Sequence, residues 1–182
     1  ATTPLVLLVH PSVPADDFPR FVEWARKQGN GVDVAGAGPI TEVTTALLGR
    51  EAGAKLVFVS YRGAGPALQA LLAGEVKAYV NTPNAGTAEF IRTGKVKAIA
   101  VTSATPSPLV PGVEPVSKYL PGLVQNVDFA FWAPPGTPPQ AMAKLQDALQ
   151  KALAEPGLRE KLHAQGLVLA PASAGEVALA TQ

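Results

Sequence analysis

Residues 33–48 read DVAGAGPITEVTTALL. This stretch begins as a short apolar strand, turns through Gly36 and Gly38, and continues as a helical pattern from Pro39. Glycine permits the backbone of a tight turn, and proline is favoured in the first turn of a helix. Because the first N–H groups of a helix have no partner within it, such a start can hold an anion. The stretch therefore predicts a strand–turn–helix unit with a possible anion site.

The same glycines also fit an ordinary structural corner, since glycine turns before helices are common. The third glycine of a dinucleotide-binding G-x-G-x-x-G fingerprint would fall at Thr41, which excludes that motif. No Gly-Lys-Ser/Thr follows, which excludes a P-loop. The stretch alone leaves the binding site and the plain corner equally open.

Strands and helices alternate on both sides of this stretch. Apolar runs predict strands over residues 4–9, 32–35, 56–60, 76–80 and 96–102. Between them, helical spacing predicts helices from Phe18 to a stop at Gly29, over 39–52, over 66–73, and up to Gly94. Such alternation is typical of βαβ units and predicts an α/β fold with a mostly parallel sheet.

The last third of the chain follows an irregular connection over residues 103–126. We expect a strand over 126–133, a helix capped by Thr137 with Gln140, a second helix over 156–165 and a strand over 167–170. Ser173 with Glu176 predicts the start of one more helix.

Composition narrows the possible functions. The 182 residues carry 15 Lys and Arg against 14 Asp and Glu, and no basic run is longer than a pair. Nucleic-acid binding needs clustered cations, so no nucleic-acid partner is expected. The chain has no cysteine and only two histidines, so neither a metal site nor a cofactor is predicted.

Three polar loops are predicted at the carboxyl ends of strands, where open parallel sheets bind their ligands. The candidate ligand-binding residues in these loops are Ala37, Gly38, Ile40, Thr41, Tyr61, Arg62, Asn81 and Thr82. In the first loop the backbone supplies donors, and in the second the Arg62 guanidinium suits a carboxylate. Each loop also has a plain interpretation, because Tyr61 can pack, Arg62 can be solvated, and a turn can use the polar residues.

No nucleophile–base pair emerges from the sequence, so no catalytic residue is predicted. His10 lies between a strand and a proline, His163 lies on an amphipathic helix, and Asp128 is an isolated acid. We therefore expect a protein that is not an enzyme.

Three motifs carry a family resemblance: SYRGAGPALQALLAGEV from Ser60, KVKAIAVTSATPSPLVPGV from Lys95, and APPGTPP from Ala133. With VHPSVPADDFPRFVEWARKQG and VAGAG, they make nearly the whole chain resemble the Bug/TctC solute-binding proteins of tripartite tricarboxylate transporters. The resemblance implies a two-lobed periplasmic protein with a type II binding-protein fold, which closes on small carboxylates and delivers them to membrane permease subunits.

In this family pattern, residues 10–125 resemble the ligand-binding second lobe. Residues 1–9 and 126–182 resemble the crossover strands and part of the first lobe. Family chains are longer at the N-terminus, so we expect one complete lobe and part of another.

One motif departs from the family pattern. Members usually read G-x-G-S-x-x-H where this chain reads Gly36-Ala-Gly-Pro-Ile-Thr-Glu42. Pro39 removes a hydroxyl and an N–H, while Glu42 adds a negative charge that repels a carboxylate. Thr41 offers a replacement hydroxyl. The motif therefore also favours a neutral or amine-bearing solute as the ligand.

Two alternatives to a carboxylate-binding protein stay open. One is an α/β enzyme that uses the helix start at Gly36 and Gly38, with Glu42 as its acid or base. The other is a remnant that binds nothing and self-associates through the apolar surface of the incomplete lobe.

Overall fold

The computed structural model of the chain describes residues 1–169. The strands are β1 Thr2–Pro4, β2 Val6–Val9, β3 Val32–Gly36, β4 Leu56–Ser60, β5 Ala78–Asn81, β6 Lys97–Val101 and β7 Asn126–Asp128. The helices are α1 Phe18–Arg26, α2 Pro39–Ala52, α3 Ala64–Leu72, α4 Ala85–Arg92, α5 Pro139–Ala154 and α6 Pro156–Ala164. None of these helices combines the length and apolar content that a membrane crossing requires.

The described residues divide into two compact units. The larger is Pro4–Val127, and the smaller comprises Ala1–Thr3 and the residues from Asp128 onward. Residues 10–125, the predicted ligand-binding lobe, lie within the larger unit, which also includes β2. How these units correspond to the lobes of the family stays a prediction.

A five-stranded sheet in the order β4-β3-β5-β2-β6 forms the centre of the larger unit. β3 pairs in parallel with both β4 and β5, whereas β2 runs antiparallel to β5 and β6. Four strands therefore point one way and β2 points the other, which confirms a mostly parallel sheet. The sequence did not indicate that β2 is reversed.

Two apolar cores cover the two faces of this sheet. Leu5, Leu7 and Val9 belong to the core that also contains residues of α1 and α2. Val6 and Leu8 belong to the other core, together with residues of α3. Side chains alternate across a strand, so the continuous run PLVLLV is apolar because both of its faces are buried.

The bounds of α2, the helix after the Gly36–Gly38 turn, were predicted closely. α2 spans Pro39–Ala52 as expected, and Gly53 ends it in the left-handed conformation with a φ of 58°. That conformation favours glycine and ends many helices. α3 begins two residues earlier than the sequence predicted because Gly63, and not a residue near Pro66, precedes its first turn.

Two predictions in the last third of the chain are wrong. The strand expected over residues 126–133 ends at Asp128, and the apolar residues that follow are exposed, with Phe131 84% and Trp132 67% accessible. Thr137 does not cap α5: its hydroxyl donates to the carbonyl of Pro134 (2.7 Å), and Pro138 precedes the helix. A residue before proline is disfavoured in helical conformation, which delays the helix start.

The smaller unit has little buried surface among its described residues. No residue of α5 or α6 is buried. Within this unit, Thr2 forms an antiparallel bridge with Val168, which falls in the strand predicted over 167–170. The predicted helix start at Ser173 and Glu176 lies outside the described residues.

Candidate functional site

The three polar loops predicted as binding elements lie at one edge of the sheet. They follow β3, β4 and β5, which are neighbours and run in the same direction. The backbone N–H of Tyr61 donates to the carbonyl of Gly36 (2.9 Å), so the first two corners are joined directly. The structure thus brings all eight candidate residues to the carboxyl ends of adjacent strands.

The β3–α2 corner has no room for a larger residue at Gly36. A Cβ atom there would lie 2.5 Å from Cε2 of Phe58 and 2.6 Å from Oγ1 of Thr41. Gly38 needs its freedom for a different reason: its φ of 89° is one that other residues rarely adopt, although the space beside it is open. The first glycine allows close packing, and the second allows the turn.

Thr41 lies beneath this corner and stabilises it. Its side chain is buried, and its hydroxyl donates to the carbonyl of Gly38 (2.8 Å). The hydroxyl proton that the sequence offered to a ligand is therefore already used within the loop. Thr41 can still accept a hydrogen bond through its oxygen.

The start of α2 presents unpaired donors. Gly38 precedes the helix and provides no side-chain cap, and Pro39 has no N–H. Thr41 and Glu42 donate their N–H groups to the carbonyl of Gly38, at 3.2 and 3.4 Å. Among the described residues nothing accepts from the N–H groups of Ala37, Gly38 and Ile40.

The start of α3 repeats this arrangement on the neighbouring strand. Gly63 precedes the helix with a φ of 114° and a ψ of 171°, close to the 89° and 167° of Gly38. It also provides no side-chain cap, and no acceptor in the described part of the chain bonds the N–H groups of Ala64 and Gly65. Two adjacent helix starts therefore present free donors at the same sheet edge.

Two other helices of the larger unit start differently. The side chain of Asp17 accepts from the N–H of Arg20 (2.8 Å) at the start of α1. Asn84 accepts from the N–H of Thr87 (3.0 Å) at the start of α4. Asn84, between β5 and α4, is thus occupied as a helix cap.

The candidate side chains differ in how far they are already engaged. Tyr61 is half-buried and packs against the core that contains α3, which agrees with its plain interpretation. Arg62 is exposed, and no residue of the described chain forms an ion pair or hydrogen bond with its guanidinium. Asn81 and Thr82 are half-buried, and their side chains have no hydrogen-bond partner within residues 1–169.

Glu42 lies in the first turn of α2 and is exposed. Its carboxylate forms no ion pair or hydrogen bond with the residues that the structure describes. A negative charge in the first turn stabilises the helix through its dipole and competes with an anionic ligand for the same field. This departure from the family motif therefore lies at the start of α2, in the same turn as the unpaired N–H of Ile40.

One buried residue of this edge has no signal in the sequence. Tyr79 on β5 is buried, and its hydroxyl donates to the carbonyl of Ala64 (3.3 Å), the first residue of α3. Burial raises the pKa of Tyr79 well above its usual value, so the hydroxyl keeps its proton. Tyr79 thus fixes the carbonyl beside the free N–H of Gly65.

Within residues 1–169 no group of three or more His, Asp or Glu residues could hold a metal ion. His10 contacts Ser12 in its own turn (Nδ1 to Oγ, 2.8 Å). Partial burial, followed by the charge of Lys77, lowers the pKa of His10.

A family profile matches nearly the whole chain. The profile of the family described as tripartite tricarboxylate transporter family receptor, TctC, matches residues 1–179. A Pseudomonas knackmussii protein named for the clcB-clcD intergenic region is 33% identical over 130 residues, which are 70% of this chain and 76% of that protein. The chain spans about half of two further curated relatives (51% and 48%).

Two solved structures share the fold. MatC from Rhodopseudomonas palustris, solved with bound malate, is 31% identical with a TM-score of 0.82, over 99% of this chain and 62% of MatC. The periplasmic binding protein BugD is 27% identical with a TM-score of 0.78, over 91% of this chain and 56% of BugD. The predicted periplasmic-binding-protein fold is thus confirmed. With the family profile, these likenesses show that the chain belongs to the Bug/TctC family of solute-binding proteins.

Proposed function

We propose that this chain captures a small organic carboxylate at the carboxyl edge of the larger unit's sheet, without transforming it chemically. The observation that supports this is the pair of neighbouring helix starts, α2 and α3, which both begin after a glycine and have no side-chain cap. Unpaired N–H groups at a helix start attract anions, and two such starts suit a carboxylate group. Binding of this kind needs donors held in place and no proton transfer.

The candidate residues have distinct roles in this proposal. The N–H groups of Ala37, Gly38 and Ile40 hold one carboxylate through the backbone. Arg62 supplies a guanidinium that can hold a second carboxylate group by two parallel hydrogen bonds. Thr41 keeps the corner in shape and contributes only an acceptor.

The remaining side chains contribute specificity. The side chains of Asn81 and Thr82, which are half-buried and have no hydrogen-bond partner among the described residues, contact hydroxyl groups of the ligand. The half-buried ring of Tyr61 borders the site on the α3 side. MatC, the relative solved with malate, makes a short hydroxylated dicarboxylate the first compound to test.

Glu42 shifts the preference toward ligands that carry less negative charge. Its carboxylate lies in the same helical turn as the donors of α2. Changing Glu42 to Gln removes one negative charge, so we expect dicarboxylates to bind more tightly and amine-bearing acids more weakly. The same variant tests the enzyme alternative, because an enzyme that uses Glu42 as its acid or base would lose its turnover.

We further propose that the whole protein works in the periplasm and delivers its ligand to the permease subunits of a tripartite transporter. The family description names a receptor of that transporter, and BugD is a periplasmic binding protein. These relatives support both the location and the partner.

Calorimetric titration tests the proposal directly. The panel contains malate, other di- and tricarboxylates, and amino acids, and we expect at least one carboxylate to bind at a single site. The charge-removing variant Arg62→Ala should weaken the binding of that compound. Absence of binding across the whole panel would contradict the proposal.

We also propose a second copy of this chain as a partner, bound by self-association. Phe129, Phe131 and Trp132 are all more than half exposed, and Leu145 of α5 is 59% exposed. Exposed apolar surface of this kind favours association between proteins. Sedimentation velocity should show a concentration-dependent species above the monomer, and the double change Phe131→Ser and Trp132→Ser should reduce it. A wild-type protein that stays monomeric at every concentration would refute this proposal.

A further inference from the structure

We propose that Gln125 is a positioning residue for the binding site, because it ties the first turns of α2 to the points where the chain enters and leaves the larger unit. This inference rests on the proposed function, which places the ligand at the start of α2. Gln125 lies far from α2 in sequence, 81 residues beyond Thr44.

Thr102 forms the first half of this connection. Its side chain is buried, and its hydroxyl oxygen accepts from the N–H of Leu5 (2.9 Å) and donates to the carbonyl of Gln125 (2.5 Å). The backbone repeats both links: Thr102 N–H donates to the Leu5 carbonyl (2.9 Å), and Gln125 N–H donates to the Thr102 carbonyl (2.8 Å). One buried threonine therefore holds the two chain segments together.

These two segments are the ends of the larger unit. The unit begins at Pro4, immediately before Leu5, and ends at Val127, two residues after Gln125. Thr102 directly follows β6, which pairs with β2 in the sheet. Thr102 thus fixes both ends of the larger unit relative to its sheet.

The Gln125 side chain forms the second half. Its Oε1 lies 2.6 Å from Oγ1 of Thr44, and the same Thr44 hydroxyl lies 2.7 Å from the carbonyl of Ile40. One hydroxyl proton serves only one acceptor at a time, and turning the amide by 180° lets its NH₂ group donate to Thr44 instead. In either orientation the amide is bonded to the helix one turn beyond Ile40.

When the NH₂ group of Gln125 donates to Thr44, the Thr44 hydroxyl donates to the Ile40 carbonyl, and the two halves then make a continuous hydrogen-bonded path. It runs from Ile40, whose N–H is a proposed ligand donor, through Thr44 and Gln125 to Thr102 and Leu5. Since α2 has no side-chain cap, Gln125 supplies a side-chain contact that fixes its first turns from outside the helix. Loss of this contact should loosen the donors without unfolding the core.

Two variants remove the contact, and one neighbouring residue provides a matched control. Gln125→Leu removes the amide, and Thr44→Val removes the hydroxyl while keeping the shape. Thr45→Val is the control, because Thr45 is also buried on α2 but its hydroxyl donates only to the Thr41 carbonyl of its own helix (2.8 Å). Thr44→Ser keeps the hydroxyl and should behave like the wild type.

Amide hydrogen exchange and malate titration provide the readouts. We expect Gln125→Leu and Thr44→Val each to speed exchange of amides in residues 41–45 about fivefold, as loss of one net hydrogen bond would. Malate affinity should fall by a similar factor, and the double variant should lose no more than either single variant, because both changes remove the same contact. Thr45→Val should change neither readout.

The outcomes separate this inference from the proposed function. Unchanged exchange in Gln125→Leu, or an equal effect of Thr45→Val, would overturn the positioning role. If the wild type binds neither malate nor another carboxylate of the panel, the proposed function fails, and the exchange result alone still decides whether Gln125 positions α2.

Discussion

The larger unit starts its helices in two ways. α1 and α4 begin with a side chain, Asp17 or Asn84, that accepts from a backbone N–H of the first turn. α2 and α3 begin after a glycine and leave their first donors without a partner in the described chain. A side-chain cap stabilises a helix by about 1 kcal/mol relative to alanine but by only about a few tenths of a kcal/mol relative to glycine, so the two glycine starts lose little stability. Unpaired donors at these two starts are what the proposed capture of a carboxylate requires.

The comparison also separates two uses of glycine. Gly36 is required because a neighbour is close, whereas Gly38 and Gly63 are required by their backbone angles. Gly65 is required by neither, since a Cβ atom there meets nothing within 4 Å and its φ is ordinary. Alanine substitutions at these positions therefore have different expected costs.

The largest effect is expected for Gly36→Ala. Its added Cβ would lie 2.5 Å from Phe58 and 2.6 Å from Thr41, so the corner must shift, and we expect a loss of about 3 kcal/mol in unfolding free energy. Urea denaturation measures this loss. Gly65→Ala is the control, and it should leave stability unchanged or raise it by up to about 1 kcal/mol. Equal losses in both variants would refute the packing argument.

Gly38→Ala is expected to cost about 2 kcal/mol, because the backbone angles of Gly38 are strained for any other residue. The same change should weaken malate binding, since the turn that presents the donors of α2 is altered. Denaturation and calorimetry on one sample measure both quantities. A stable variant with normal affinity would show that the turn does not present the donors.

Arg62→Ala is expected to weaken carboxylate binding about tenfold while changing stability by less than about 0.5 kcal/mol. Arg62 is exposed and unengaged by the described residues, so its removal breaks no contact there. Titrations in low and high salt should show that the wild type loses affinity with salt and that the variant loses less. Unchanged affinity would remove Arg62 from the site.

Asn84→Ala tests the capped side of the comparison. Removal of the bond to the Thr87 N–H should lower the unfolding free energy by about 1 kcal/mol, and carboxylate affinity should be unaffected. Asn84→Asp, which keeps the acceptor, is the matched control and should retain the stability. A loss of affinity in Asn84→Ala would place a ligand contact at α4.

The smallest effect concerns pH. The hydrogen bond and charge of Lys97 lower the pKa of Asp16, beside α1, from its ordinary value of 3.8. A lowered pKa stabilises the fold above the ordinary value, and this contribution is lost as the pH falls through the lowered one. The melting temperature should therefore drop on acidification, and less so in Asp16→Asn. Identical profiles would show that the pair adds nothing to stability.

The sequence predicted well those helices and strands whose ends are set by residues next to them in the chain. α2 is bounded by Pro39 and Gly53, and β4 lies between two turns, so both were predicted with their observed bounds. The strand expected after Asn126 ends at Asp128 although its pattern continues, because a strand persists only where a partner strand pairs with it. A pattern within one segment cannot show where its partner is.

In the candidate site, too, local features could be predicted from the sequence and long-range contacts could not. The three loops could be placed at one edge because each follows a strand in a parallel arrangement. The contacts of Tyr79 with Ala64 and of Gln125 with Thr44 could not be foreseen, since they join residues 15 and 81 positions apart through side chains. The reversed direction of β2 was likewise hidden, because an apolar run has the same composition in either direction.

The most direct test of the difference between helix starts is an NMR titration with the tightest-binding carboxylate of the panel, which follows backbone amides. Saturation should shift the amide signals of Gly38, Ile40 and Gly65, and leave those of Arg20 and Thr87, which side chains already bond, nearly unmoved. Shifts confined to Arg20 and Thr87, or no shift at any of these helix starts, would contradict the proposed difference.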